Sequence, residues 1–152
     1  MTKVLYYDSP IGLVEIHSDK EKIAKLNFKE SKCYQEGSNL VLVEAKKQLD
    51  EYFKGERKEF ELPLRIKGTE FQKNVWKQLL EIPYGSTLSY KKVAESIGNN
   101  KAYRAVGNAN NKNSIPIIIP CHRVTASNGD LGGYGAGVWR KKWLLQHERD
   151  NR

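Results

Sequence analysis

Cysteine is scarce in this chain: there are two in 152 residues, Cys33 and Cys121. Two thiols make neither a disulfide framework nor, by themselves, a zinc site. One pairing is open to them, but a reducing compartment leaves both free. Long apolar runs are missing too. No stretch approaches the roughly 18 apolar residues of a membrane span. The opening residues, "MTKVLYYDSPIG", lack the apolar core of a secretory signal. There is no internal repeat and no low-complexity segment. These absences argue against a stapled secreted scaffold, a membrane-spanning protein and a repeat array. With 29% charged residues and negative mean hydropathy, the expectation is a soluble cytoplasmic protein. Its length suits one ordinary domain or two small ones.

Negative charge is also unevenly supplied. Residues 1–68 carry 13 Lys and Arg against 12 Asp and Glu, whereas residues 69–152 carry 13 against 6. Nearly all of the formal net charge of +8 therefore lies in the second half. Such asymmetry points to a polyanion partner, nucleic acid first.

What the chain does contain reads as an α/β (α+β) protein in two parts. In the first 28 residues "KVLYY", "GLVEIHS" and "IAKLNF" are strands separated by turn signals, a β-meander. Residues 40–54 place Val41, Ala45, Leu49, Tyr52 and Phe53 on one helical face, with Gly55 as a stop. "EFELPLRI" reads as an edge strand, because Pro63 cannot donate to a ladder. The boundary falls near Lys67-Gly68, giving domains 1–67 and 68–152. In the second part, Phe71, Val75, Trp76, Leu79 and Leu80 recur at helical spacing behind a Thr69 cap. "TLSYKKVAESIG" is a short helix with Ser89 as N-cap and Val93, Ala94 and Ile97 inward. "KAYRAVGNANN" is another, and two short helices joined through a glycine turn are a helix-turn-helix signature. Its small residues, Ala102, Ala105, Gly107 and Ala109, permit close approach to another backbone. Its amides and Arg104 suit phosphates and base edges, although an ordinary solvated arginine would look the same. "IPIIIP" reads as an apolar strand, and the glycine-rich "TASNGDLGGYGAG" as a loop able to approach a ligand closely. "VWRKKWLLQHE" closes the chain as a helix with Trp139, Trp143 and Leu144 inward.

The chemistry concentrates at "PCHRV". A cysteine acts as a nucleophile only as thiolate, and neighbouring cations lower its pKa. His122 and Arg123 reach the sulfur only if the backbone turns after Pro120, because neighbours on a strand face opposite ways. A histidine base also needs an orienting carboxylate, and Glu70, Glu81, Glu95, Asp130, Glu148 and Asp150 are all available. A buried structural cysteine beside an incidental histidine remains open on the tripeptide alone.

The wider context narrows the choice. "IPIIIPCHRV", "GGYGAG" and "KKWLLQHE", with "FQKNVWKQLLEIPYGSTLSYKKVAESIGNNKAYRAVGNA" before them, resemble the O6-alkylguanine-DNA alkyltransferases, or methylated-DNA–protein-cysteine methyltransferases, over residues 69–148. The first half matches chiefly in "YYDSPIG" and the helix before residue 55. The resemblance implies a ribonuclease-H-like N-terminal lobe followed by a helix-turn-helix (winged-helix-like) DNA-binding domain that carries the active site. It implies single-turnover transfer of methyl or other alkyl groups from O6-alkylguanine, and from O4-alkylthymine, in double-stranded DNA to Cys121 after base flipping. It gives His122 and Glu148 the role of a proton relay, Asn113 that of a brace and Tyr90 that of a proton donor to the leaving guanine. Arg104 takes the place of the flipped base in the duplex. Val124, Tyr134 and Gly135 line the base pocket, and Ser89 and Ala105 join Arg104 among the DNA-binding residues. No metal, cofactor or membrane is implied, and a monomer is expected. Cys33 and His17 alone make no structural zinc site in the first half. Two positions depart from the family pattern: Ser114 follows Asn113 where a proline is common, which would loosen that turn, and Gly135 stands where a serine is frequent. Rival readings are a lesion sensor, which would lack the acceptor cysteine, a DNA-binding regulator that uses Cys121 as a chemical sensor, and a cysteine hydrolase, which would turn over.

Overall fold

Apolar residues recurring through the first 29 residues build a small sheet, whose middle strand is buried on both faces over residues 14–18. The computed structural model describes residues 2–152, and the chain divides into two compact units, one ending at Ile66 and the other running from Lys67 to Arg152. In the first, Thr2–Ser9 (β1), Gly12–Asp19 (β2) and Lys22–Lys29 (β3) form an antiparallel meander in the order β1-β2-β3. Val4, Val14, Ile16, Ile23 and Leu26 are buried. The helix Leu40–Phe53 (α1) packs against this sheet, started by Asn39, whose Oδ1 accepts from Leu42 N at 2.9 Å. Its buried row is Leu42, Ala45, Leu49 and Tyr52, so Leu42 takes the inward place expected of Val41, which is half-buried. "EFELPLRI" forms a single bridge instead of a strand. Leu64 pairs with Ile23, with Ile23 N donating to Pro63 O and Arg65 N to Ile23 O. Pro63 has no N–H to continue the ladder.

The second unit begins with Glu70–Leu80 (α2). Thr69 and Gln72 form a reciprocal capping box at its start. Leu88–Ser89 (β4) leads into Tyr90–Ser96 (α3), capped by the Ser89 hydroxyl, and then Tyr103–Asn111 (α4). Val75, Trp76, Leu79, Val93, Ala94, Val106 and Ala109 are buried where these three helices pack. Trp76 Nε1 donates to Ala109 O at 2.9 Å, which ties α2 to α4. Val124–Thr125 (β5) pairs in parallel with β4, and Val138–Asp150 (α5) closes the unit. No helix among the described residues is long and apolar enough to cross a membrane. The fold is thus mixed α/β: a small sheet with one helix, then a helical unit in which α3 and α4 form a helix-turn-helix.

Two expectations fail in this unit. "IPIIIP" is a folded-over turn, not a strand. Pro116 bridges Ile119, Ile119 N donates to Ile115 O, and Ile117 sits at φ 73. Two prolines lack the donors a strand would use. On α5 the inward residues are Lys141, Leu144, Leu145 and Glu148, while Trp139 is 56% exposed and Trp143 half-buried. The helix turns its two charged residues inward because both are held by partners in the site.

Candidate active site

The turn before the cysteine is built around Asn113. Its Oδ1 accepts from Ile115 N at 3.0 Å and its Nδ2 donates to Ile119 O at 2.8 Å, so one amide closes both ends of the loop. Ser114 in place of a proline leaves that turn closed. Cys121 N donates to Ile119 O at 2.8 Å, and the chain then enters a single 3₁₀ turn, Cys121–Arg123. The backbone therefore turns after Pro120, and all three side chains of that turn are buried. Asn110, buried on α4, donates through Nδ2 to Cys121 O at 3.2 Å.

Of the six carboxylates that could orient His122, Glu148 does so. His122 Nε2 lies 2.6 Å from Glu148 Oε2, and both residues are fully buried. Both oxygens of Glu148 accept hydrogen bonds. Arg123 Nε and Gly85 N donate to Oε1 at 2.9 and 3.0 Å, while His122 Nε2 and Arg123 Nη2 donate to Oε2, the latter at 3.0 Å. Burial alone would raise the Glu148 carboxyl. The hydrogen bonds donated by His122 and Arg123, with the charge of Arg123, instead hold it well below the usual carboxylate range. An ionised carboxylate can only accept, so the proton between the pair sits on His122 Nε2. Burial pushes the imidazole below its ordinary value, with Arg123 and Lys141 adding to this and Glu148 opposing it. His122 is therefore neutral, and its Nδ1, buried and hydrogen-bonded to no described residue, is a free base.

The sulfur does not rest as thiolate. Burial pushes the Cys121 thiol up, against the hydrogen-bonding side chain of Asn113, the charge of Lys141 and the hydroxyl of Tyr134. The expected lowering by His122 and Arg123 is not found, because the imidazole is neutral and the guanidinium is turned to Glu148. Lys141 on α5 is the nearby cation instead. Its Nζ donates to Val124 O at 2.6 Å and Gly133 O at 3.1 Å, and burial brings its pKa down to about 8. It also lies 5.8 Å from the Tyr90 ring centroid. Burial raises the Tyr90 phenol, which keeps it protonated.

Cys121, His122, Glu148, Asn113, Tyr90, Tyr134 and Val124 thus gather in one cluster. The glycine loop lies against it. A Cβ on Gly132, at φ 74, would stand 2.5 Å from Tyr90 Oη, and one on Gly135 would meet Asn111 O at 3.3 Å. Arg104 and Ala105 stand outside the cluster on the exposed face of α4, and Ser89 serves as the α3 cap. Cys33 is exposed. No group of three or more His, Cys, Asp or Glu among the described residues could hold a metal ion. Sequence reasoning missed Lys141, Asn110 and the grip of Arg123 on Glu148. The spacing of Lys141 to Leu144, Leu145 and Glu148 is the signal that could have found the first.

Residues 70–150 match the 6-O-methylguanine DNA methyltransferase DNA-binding domain and residues 3–66 the ribonuclease-like domain of the same family. The chain is 46% identical to the methylated-DNA–protein-cysteine methyltransferase of Methanosarcina barkeri, over 97% of this chain and 99% of that one. It superimposes on the crystal structure of Mycobacterium tuberculosis O6-methylguanine methyltransferase with a TM-score of 0.90 at 41% identity, covering 100% of this chain and 95% of that chain. A second M. tuberculosis structure, in complex with DNA, gives 0.89 at 42% identity over 99% and 93%. With both parts matched in order, this chain belongs to the 6-O-methylguanine DNA methyltransferase family.

Proposed function

We propose that the chain repairs DNA by moving a methyl or other alkyl group from O6 of guanine, or O4 of thymine, directly onto Cys121 after the base is flipped out of the duplex. An O6-alkyl carbon inside a stacked helix is out of reach of a buried thiol, so flipping is required. The carrying observation is the buried thiol next to a neutral imidazole whose Nε2 is pinned by an ionised carboxylate. As the thiol approaches the alkyl carbon, its proton passes through a water to His122 Nδ1. The sulfur forms the new C–S bond, the C–O bond breaks, and the guanine that departs takes the Tyr90 phenol proton at N3. Lys141 stabilises the sulfur's developing charge, and Asn113 and Tyr134 support it. The backbones of Val124 and Gly135 line the base pocket, and Arg104, with Ser89 and Ala105 nearby, fills and grips the duplex.

The thioether formed is no leaving group, so each chain acts once, and one chain suffices for each lesion. A monomer working in the cytoplasm, where DNA meets a reduced thiol, is the expected state. The test is stoichiometry on an O6-methylguanine duplex. Wild type removes at most one methyl per chain, whereas Cys121→Ala binds the lesion and removes none. Continued turnover, or transfer by Cys121→Ala at the wild-type rate, would overturn the reading.

A further inference from the structure

We propose that Arg123 is a positioning residue that fixes the Glu148 carboxylate and keeps His122 neutral, with Nδ1 free, before the alkylated base arrives. The geometry carries this. Arg123 takes one lone pair on each Glu148 oxygen, through Nε and Nη2, and anchors its remaining arm with Nη1 donating to Ile82 O at 2.8 Å. Its guanidinium also lies 5.7 Å from the centroid of the Tyr84 ring. A carboxylate has about four lone-pair sites. Arg123 occupies one on each oxygen, Gly85 N donates to Oε1 beside it, and His122 meets Oε2 at one angle.

The charge matters as much as the angle. A buried imidazole facing a lone carboxylate gains a proton readily, and an imidazolium cannot accept one from the thiol. The guanidinium balances the carboxylate, so the buried site around Glu148 already holds its cation and His122 need not supply one. The charged and titratable groups facing His122 are Glu148 and Lys141 on α5 and Arg123 on its own turn. Tyr84 faces Glu148 from the segment before β4. Arg123 and Lys141 both disfavour the imidazolium, and Glu148 favours it. Removing Arg123's charge therefore leaves Glu148 less opposed and makes His122 more basic.

This inference deepens the reading of Cys121 as acceptor and rests on it. The test compares transfer from free O6-benzylguanine against pH for wild type, Arg123→Lys and Arg123→Gln, below the lowest melting temperature of the three. For wild type the rate falls on acidification as His122 protonates. In Arg123→Gln that fall moves to higher pH by roughly one unit or more. In Arg123→Lys, which keeps the charge and loses the two-pronged grip, the fall stays near its wild-type position while the plateau drops. Nitrogen NMR of His122 supplies a readout independent of transfer, and it decides the matter if the glutamine variant does not fold. Arg123→Lys retains the neutral Nε2–H tautomer at neutral pH. An unmoved acid limb in Arg123→Gln, equal losses in both variants at every pH, or another tautomer in Arg123→Lys would overturn the proposal. Methyl found on wild-type Cys121 beside such a result would sink this inference alone.

Discussion

His122 and Glu148 are the two residues whose protonation the account depends on, and both link the site to stability. Burial holds folded His122 below its ordinary value, so the unfolded chain takes up that proton first and stability falls as pH drops below about 6.5. Glu148 is depressed on folding despite its burial. Its contribution is complete above about 4.3 and is lost as pH falls further. The two act in the same direction. Calorimetry should show the melting temperature of the second unit dropping between pH 7.5 and 5 and continuing below. A flat melting temperature over the upper part of that range would mean that the folded imidazole takes protons from solvent as freely as the unfolded one. At this scale the sequence pointed to Cys121 as the proposed acceptor, with His122 and Glu148 beside it, only through family context. "PCHRV" alone left six carboxylates open and offered His122 and Arg123 as cations for the thiol only if the backbone turned, without pointing to Lys141. Which face of α5 turns inward decides both points, and a lysine at the head of an apolar row argues locally for exposure, as at Lys141.

Elements formed by strong local signals were legible. The capping box at Thr69, the Ser89 cap and the left-handed glycines Gly55 after α1 and Gly98 after α3 mark helix ends from residues adjacent in sequence. The 114–120 segment was not, because its turn is closed by one side-chain amide and by backbone bonds that bulky apolar residues normally direct to a sheet. Ile117, a β-branched residue at φ 73, is what apolar patterning would least suggest. Asn113→Ala removes the acceptor for Ile115 N and the donor to Ile119 O together. Each buried partner left without its hydrogen bond costs about 1–3 kcal/mol. Chemical denaturation should show a loss of that order or larger, with transfer slowed because Cys121 follows the loop. Loss of transfer with unchanged stability would mean that Asn113 acts on the sulfur alone. Thr69→Ala should cost about 0.5–2 kcal/mol through its lost cap and leave transfer from free base unchanged below the melting transition. A changed rate there would tie the α2 start to the site.

For the molecule as a whole, the division of charge seen in the sequence matches the division of labour: the second unit carries the site, the helix-turn-helix and nearly all the excess positive charge. Arg104→Ala should therefore reduce repair in duplex DNA far more than transfer from free O6-benzylguanine, which needs no flipping. Equal losses on both substrates would assign Arg104 to the chemistry or the fold. Binding should weaken linearly with salt on logarithmic axes, with a slope of about −0.9 for each phosphate neutralised. Alkylation should also be felt by the fold. Cys121 is 4% exposed, and an extra methylene in a packed site costs about 1–3 kcal/mol. DNA-free methylated protein should melt below the unmodified form, and a melting temperature at or above it would mean a roomier site than the surrounding burial indicates. The measurement closest to the central claim is peptide mass mapping after incubation with an O6-methylguanine duplex. The account predicts one added methyl, on the peptide containing Cys121, with Cys33 unmodified and the guanine restored. A methyl on any other residue, or restored guanine with no methyl on the protein, would contradict it.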